Sequence, residues 1–198
     1  MLYLIRHCST IENESGILCS DKDFGLSDKG IEQGKKLSTW FCDKKIDLIL
    51  SSSLLRAEQT AKYINEATNA EIVLSKDLLE RKVSPEYTNL KLQEITECRI
   101  NKEHNFYDPT QDWNDVNEVE SDMEIFERVK SLLINLYKPG INIACVTHAG
   151  VIKAFLHIAL KMDKRRSNGF KVKNGCVIVL QNENDFEKIQ ILGFYQLY

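Results

Sequence analysis

The stretch Ile143-Ala144-Cys145-Val146-Thr147-His148-Ala149-Gly150-Val151-Ile152 decides the fold. Ile143–Thr147 opens with four apolar residues and no alternation, which is how a strand buried on both faces reads. From Ala149 the apolar pattern continues to Met162, too long for a strand and right for a helix. His148 stands at the join. The same reading extends outward. Leu2–Arg6 is a buried strand that ends in a charge, and His7 follows it. Asp47–Ser51, centred on Leu48-Ile49-Leu50, is a second, and Glu71–Leu74 a third. Helical patterns lie between them. Ser27-Asp28 caps a helix in which Ile31, Gly34, Leu37 and Phe41 recur at helical spacing, and Ser52 or Ser53 caps one running to about Glu66. Ser121-x-x-Glu124 is a capping box that opens a helix with Met123, Phe126, Val129, Leu133 and Leu136 on one face, and Pro139-Gly140 ends it. Asn174-Gly175 precedes Cys176–Leu180, which pairs with Lys188–Leu192 as a hairpin. Strand and helix alternate from end to end. The pattern predicts an α/β three-layer sandwich, a largely parallel central sheet with helices on both faces.

The 198 residues fit one domain, read as 1–198, with the polar stretch 76–118 as an excursion over one end of the sheet. A helix is expected there around Asn89–Lys102. Hydrophobic residues at 43% and charged residues at 28% exclude a disordered or fibrous chain. The net charge of −3 is wrong for a nucleic-acid binder, which needs a basic face. No apolar run approaches the roughly 18 residues of a membrane span. The five apolar residues at the start are too few for a secretory signal core, so a cytoplasmic protein is expected. Cys8, Cys19, Cys42, Cys98, Cys145 and Cys176 are spread without a C-x-x-C pair, so reduced thiols are expected and zinc is not.

In open α/β folds ligands bind beyond the carboxyl ends of the strands. Two strand ends here carry histidine: Arg6-His7-Cys8-Ser9-Thr10 and Thr147-His148-Ala149-Gly150. The Asp47–Ser51 strand leads into Ser52-Ser53-Leu54-Leu55-Arg56, with Arg56 in the first turn of a helix. If these strands are neighbours, two histidines and two arginines converge, and Asn13 lies close by in sequence. Arginine forks and helix N-termini suit phosphate oxygens. A histidine among them can attack phosphorus or donate to an oxygen. Either histidine alone is more often structural, so the joint pattern carries the reading. His104 is expected at the surface and His157 in packing or at the helix boundary. Cys8 is a decoy. In cysteine-dependent phosphatases an Arg follows the nucleophile by six positions, and here that position is Glu14. A carboxylate there repels both thiolate and phosphate.

At these residues the chain resembles the histidine phosphatase superfamily, or phosphoglycerate mutase-like family. Leu4-Ile5-Arg6-His7 with Thr10 and Asn13 resembles its arginine-histidine signature, and Asp23, Leu26-Ser27 and Gly30 its next block. Ser51, Ser53, Leu54, Arg56-Ala57, Gln59, Thr60 and Ala61 resemble its second arginine block. Leu79-Glu80 is similar to the proton-donor segment, Glu120-Ser121 and Arg128-Val129 to its late helix, and Val146–Gly150 to its second histidine block. The resemblance implies the phosphoglycerate mutase-like fold and a metal-free, cofactor-free phosphatase that acts on a small phosphorylated metabolite. His7 would become a phosphohistidine. Arg6, Arg56 and His148 would hold the phosphoryl oxygens, with Asn13 as a lesser contact. Glu80 would be the general acid, with Glu86 as fallback, because the segment after Glu80 departs from the common pattern. Cys8 stands where the family usually has glycine, and an inert packed thiol is expected. The chain stops soon after its last strand, which favours hydrolysis, whereas Glu80-Arg81 resembles the mutases. The alternatives are mutase-type phosphoryl transfer and a non-catalytic phosphate- or partner-binding member of the same fold. The partners expected are a small phosphorylated substrate, no nucleic acid and no membrane, with a homodimer left open.

Overall fold

The computed structural model describes residues 1–18, 22–82, 90–91, 120–136, 140–161, 171–181 and 189–197. Its six-stranded sheet comprises β1 (Leu2–Arg6), β2 (Leu48–Ser52), β3 (Ile72–Ser75), β4 (Ile143–Thr147), β5 (Cys176–Gln181) and β6 (Gln190–Gln196), in the order β3-β2-β4-β1-β5-β6. The first four in that order run parallel. β5 and β6 form the expected antiparallel hairpin at the edge, with a register shift between Val179 and Leu180.

The apolar runs are buried on both sides because each strand feeds two cores by alternation. Leu2, Leu4, Leu50, Ile143 and Cys145 face one core, where α4 (Asp122–Leu136) brings Ile125, Phe126, Val129 and Leu133, and α5 (Ala149–Ala159) brings Val151, Ile152 and Phe155. Tyr3, Ile5, Ile49, Ala144 and Val146 face the other. There, beyond the short α1 (Ile11–Glu14), α2 (Asp28–Phe41) brings Leu37 and Phe41, and α3 (Leu55–Thr68) brings Ala57, Ala61 and Ile64. The three layers are those expected. No helix among the described residues is long and apolar enough to cross a membrane.

Several local expectations shift. Ile31 and Met123 are exposed, and the buried stripe of α4 starts at Ile125. The α3 N-cap is Leu54, with no side-chain cap bond. Ser52 Oγ instead accepts from Leu54 N at 3.3 Å. The last helix ends at Ala159 rather than Met162. The Ser121–Glu124 capping box forms as read, with Glu124 N donating to Ser121 Oγ and Ser121 N to Glu124 Oε2. The helix expected around Asn89–Lys102 lies outside the described residues except at its start, where Lys91 bridges Ile17.

Two features of α2 matter for the site. Ser27 caps it, accepting from Gly30 N at 3.1 Å. A Cβ on Gly30 would meet Ser9 O at 2.1 Å, so only glycine lets α2 press against the loop after β1. Ser27 N donates to Ser9 O, and buried Gln33 accepts from Ser9 N at 2.8 Å. The segment that carries His7 is thereby held from its far side.

Candidate active site

Parallel pairing sets Arg6 opposite Thr147 and Ser51 opposite Val146. The carboxyl ends of β1, β4 and β2 therefore lie side by side, and His7, His148 and Arg56 follow them. The rings of His7 and His148 lie 5.1 Å apart, centre to centre, and both are buried.

His7 Nδ1 lies 2.7 Å from the carbonyl oxygen of Cys8. A carbonyl only accepts, so Nδ1 carries the proton, and in the neutral ring Nε2 holds a lone pair. Burial, then Arg6 and Arg56, holds the His7 pKa well below the ordinary imidazole value; the Cys8 carbonyl opposes them. The backbone is pinned as well. His7 N donates to Thr147 O, and His7 O accepts from Asn174 Nδ2 at 3.1 Å and from Gly175 N at 3.3 Å. Gly175 has φ +71°, which a glycine adopts without strain. Asn174 Nδ2 also reaches Asn13 Oδ1 at 2.9 Å, and Asn13 completes a capping box with Thr10. The amide oxygen of Asn13 is thus turned toward protein donors. The sequence marks the Asn174-Gly175 pair only as the lead-in to the Cys176–Leu180 strand, and no local pattern shows its grip on His7.

His148 Nε2 lies 2.8 Å from Ser52 Oγ, and its buried Nδ1 has no hydrogen-bond partner among the described residues. Burial, then His7, Arg56 and Arg6, keeps its pKa well below the ordinary value. Arg56 is 1% exposed and donates from Nη1 to Lys22 O at 2.6 Å. Arg6 donates from Nη1 to Val172 O at 2.7 Å. Fixed guanidiniums beside neutral imidazoles give a cluster rich in donors and positive charge, suited to a phosphate dianion.

Glu80 closes the other side. A Cβ on Gly150 would lie 2.6 Å from Glu80 Oε1, so the carboxylate rests against the start of α5, two residues after His148. Glu80 Oε1 also accepts from Arg81 N at 2.9 Å. Arg128 fixes the approach to this residue. It donates to the carbonyls of Asp77 and Leu79, and its Nε and Nη2 grip Glu120 at 2.6 and 2.9 Å. Behind Glu80, Arg81 pairs with Asp122, which meets His157 Nδ1 at 2.8 Å. His157 is thus buried, with its Nδ1 in hydrogen-bond contact with the Asp122 carboxylate. Burial works to raise the Asp122 pKa, and Arg81 and His157 outweigh it. Lys153 on α5 is half-buried. Burial, with Arg6 and Arg81, lowers its pKa against the pull of Glu80. Glu86 and His104 lie outside the described residues.

Cys8 points away from the cluster, into the core with Tyr3, Ile5 and Leu37. Burial pushes its thiol up to about 12, against a weaker bond with Thr60. It is the inert packed thiol expected, and it does not line the pocket. Cys8, Cys42, Cys145 and Cys176 are all free thiols.

The chain is 25% identical to the adenosylcobalamin/alpha-ribazole phosphatase of Escherichia coli, over 97% of this chain and 95% of that one. It is 24% identical to the 2,3-bisphosphoglycerate-dependent phosphoglycerate mutase of Thermoplasma acidophilum, over 91% and 86%. The solved structure of a mycobacterial glucosyl-3-phosphoglycerate phosphatase superposes with a TM-score of 0.79 at 21% identity, covering 96% of each chain. The profile of the histidine phosphatase superfamily (branch 1) matches residues 2–193. A match of that extent establishes that the chain belongs to the histidine phosphatase superfamily.

Proposed function

We propose that the chain is a metal-independent phosphatase that hydrolyses a small phosphorylated metabolite through a phosphohistidine on His7. The carrying observation is the His7–Cys8 hydrogen bond, which leaves the Nε2 lone pair on a neutral ring beside His148. In the first step Nε2 attacks phosphorus, the bond to the leaving oxygen breaks, and Glu80 gives that oxygen its proton. In the second, water attacks the phosphohistidine, Glu80 takes the water's proton, and Nε2 leaves with the electron pair. Arg6, Arg56 and His148 hold the three non-bridging oxygens and meet the charge that grows on them, with Asn13 as a lesser contact. Four organic donors do the work that a metal ion does elsewhere. The position of Glu80 against Gly150 supports it as the acid.

Mutase-type transfer is the second reading, motivated by Glu80-Arg81 and by the mutase among the relatives. The test is phosphate release from an aryl phosphate and from a panel of phosphorylated metabolites, with and without EDTA. Release that survives chelation supports the proposal. Phosphate handed to a second metabolite rather than to water supports the mutase reading. Loss of turnover in EDTA, restored by a divalent ion, overturns the metal-free mechanism, and no release or transfer at all leaves a binding protein.

A further inference from the structure

The two histidines face the same small space, yet the proposed chemistry asks opposite things of them. His7 must offer a lone pair, and His148 must offer an N–H. We propose that Ser52 is a positioning residue that holds His148 in the tautomer protonated at Nδ1, so that this N–H, the one polar atom of the ring with no partner among the described residues, is presented to a phosphoryl oxygen. The inference rests on the phosphatase reading for its purpose, but not for its geometry.

Ser52 is the last residue of β2, fully buried, with Oγ 2.8 Å from His148 Nε2. Its hydroxyl has one proton to give and two lone pairs. One lone pair takes the Leu54 N–H at 3.3 Å. If Nε2 carried the ring proton, Ser52 Oγ would accept a second time and its own proton would need a further acceptor. His148 Nδ1 would then turn a lone pair toward the anion. If instead Ser52 donates to Nε2, the hydroxyl donates once and accepts once. The ring proton then sits on Nδ1, the atom left without a partner among the described residues. The neutral ring that this requires agrees with the strongly lowered His148 pKa, which burial chiefly causes. His7 reaches the same tautomer by a different route, with Nδ1–H given to the Cys8 carbonyl. Two rings of one tautomer then present opposite edges, a lone pair from His7 and a proton from His148. Wrong-tautomer penalties are large where a neutral imidazole must act from a fixed edge.

The test uses the full chain labelled with 15N in the histidine rings. Ring NMR near neutral pH, with the His148 signals assigned by their loss in His148→Gln, is expected to show Nδ1 protonated and Nε2 bare. Inorganic phosphate should shift the Nδ1 signal. Ser52→Ala should let the ring populate the other tautomer, weaken inorganic phosphate binding and lower kcat on an aryl phosphate on the order of 10- to 100-fold, at or below the loss from deleting a transition-state donor outright. Ser52→Thr, which keeps the hydroxyl, should restore the tautomer and most of the rate. A wild-type His148 protonated at Nε2, or a Ser52→Ala protein with unchanged tautomer and rate, overturns the proposal. If Ser52→Ala does not fold, the wild-type tautomer decides alone. A chain with the expected tautomer that hydrolyses no phosphomonoester would refute the phosphatase reading and leave this one standing. An active phosphatase with His148 protonated at Nε2 would do the reverse.

Discussion

A side chain on Gly150 would collide with the carboxylate of Glu80: the added Cβ would sit 2.6 Å from Oε1. Glycine at the start of α5 thus lets Glu80 lie against the residue two positions after His148. The carboxylate is the far end of a flexible side chain, so Gly150→Ala should fold at little cost. The acid should nevertheless be displaced. Hydrolysis of an alkyl phosphate should fall roughly 100-fold, within the usual worth of a general acid, while an aryl phosphate, whose leaving oxygen needs little help, should lose far less. Single-turnover kinetics on one substrate of each kind measures the ratio. Equal losses on both would remove Glu80 from the acid's role.

Arg128 reaches that acid indirectly. Its guanidinium ties the Asp77 and Leu79 carbonyls to Glu120, just ahead of Glu80. Arg128→Met leaves a mostly buried Glu120 uncompensated and should destabilise the fold by about 3 kcal/mol, the cost of breaking such a pair. Adding Glu120→Gln should recover part of it. Urea denaturation of the single and double variants checks both statements. A single variant within about 0.5 kcal/mol of wild type would mean that the clasp is not structural.

Acid should weaken the protein through its two site histidines. Both have folded-state pKa values depressed well below the ordinary value of about 6.5. Below pH 6.5 the unfolded chain takes up protons at these rings that the folded chain refuses, so stability falls as pH drops. Each ring contributes at most about 1.4 kcal/mol per pH unit, and the pair should cost about 1–2 kcal/mol between pH 6.5 and 5.5. Urea midpoints in phosphate-free buffer measure this. A His7→Gln, His148→Gln double variant should flatten the slope in that window, and an unchanged slope would assign it elsewhere.

Thiol reactivity should follow burial. Cys42 is exposed, whereas Cys8, Cys145 and Cys176 are buried with thiols raised to about 12, 12 and 11. Peptide mapping after alkylation of the native protein should find Cys42 modified and these three protected until unfolding. Cys8→Gly removes core packing rather than bulk from the pocket, so it should cost about 1–2 kcal/mol and bring no gain in rate. A faster Cys8→Gly enzyme would instead put Cys8 in the pocket wall.

The strands and both histidine positions were legible because buried parallel strands are continuous apolar runs, and chemistry after such a run has one place to go. The sequence carried the packed state of Cys8 but not the core that takes it. It follows the Tyr3–Ile5 side of β1, a choice fixed by how the loop turns under Ser9, Gly30 and Gln33. Ile31 and Met123 misled because helical spacing admits a neighbouring stripe, and Gln33 takes a buried place by bonding Ser9 N. The Ser52–His148 and Arg128–Leu79 contacts join residues 96 and 49 positions apart, and no local pattern records them.

The phosphoryl acceptor is the centre of the account. Rapid acid-free quench of the full chain with a 32P-labelled aryl phosphate, followed by peptide mapping, tests it directly. The account predicts a phosphoryl group on His7 that is stable to base and lost in acid, formed within one turnover, and absent from His7→Ala with every substrate. A phosphoenzyme in His7→Ala, or one that survives acid and maps to another residue, would contradict it.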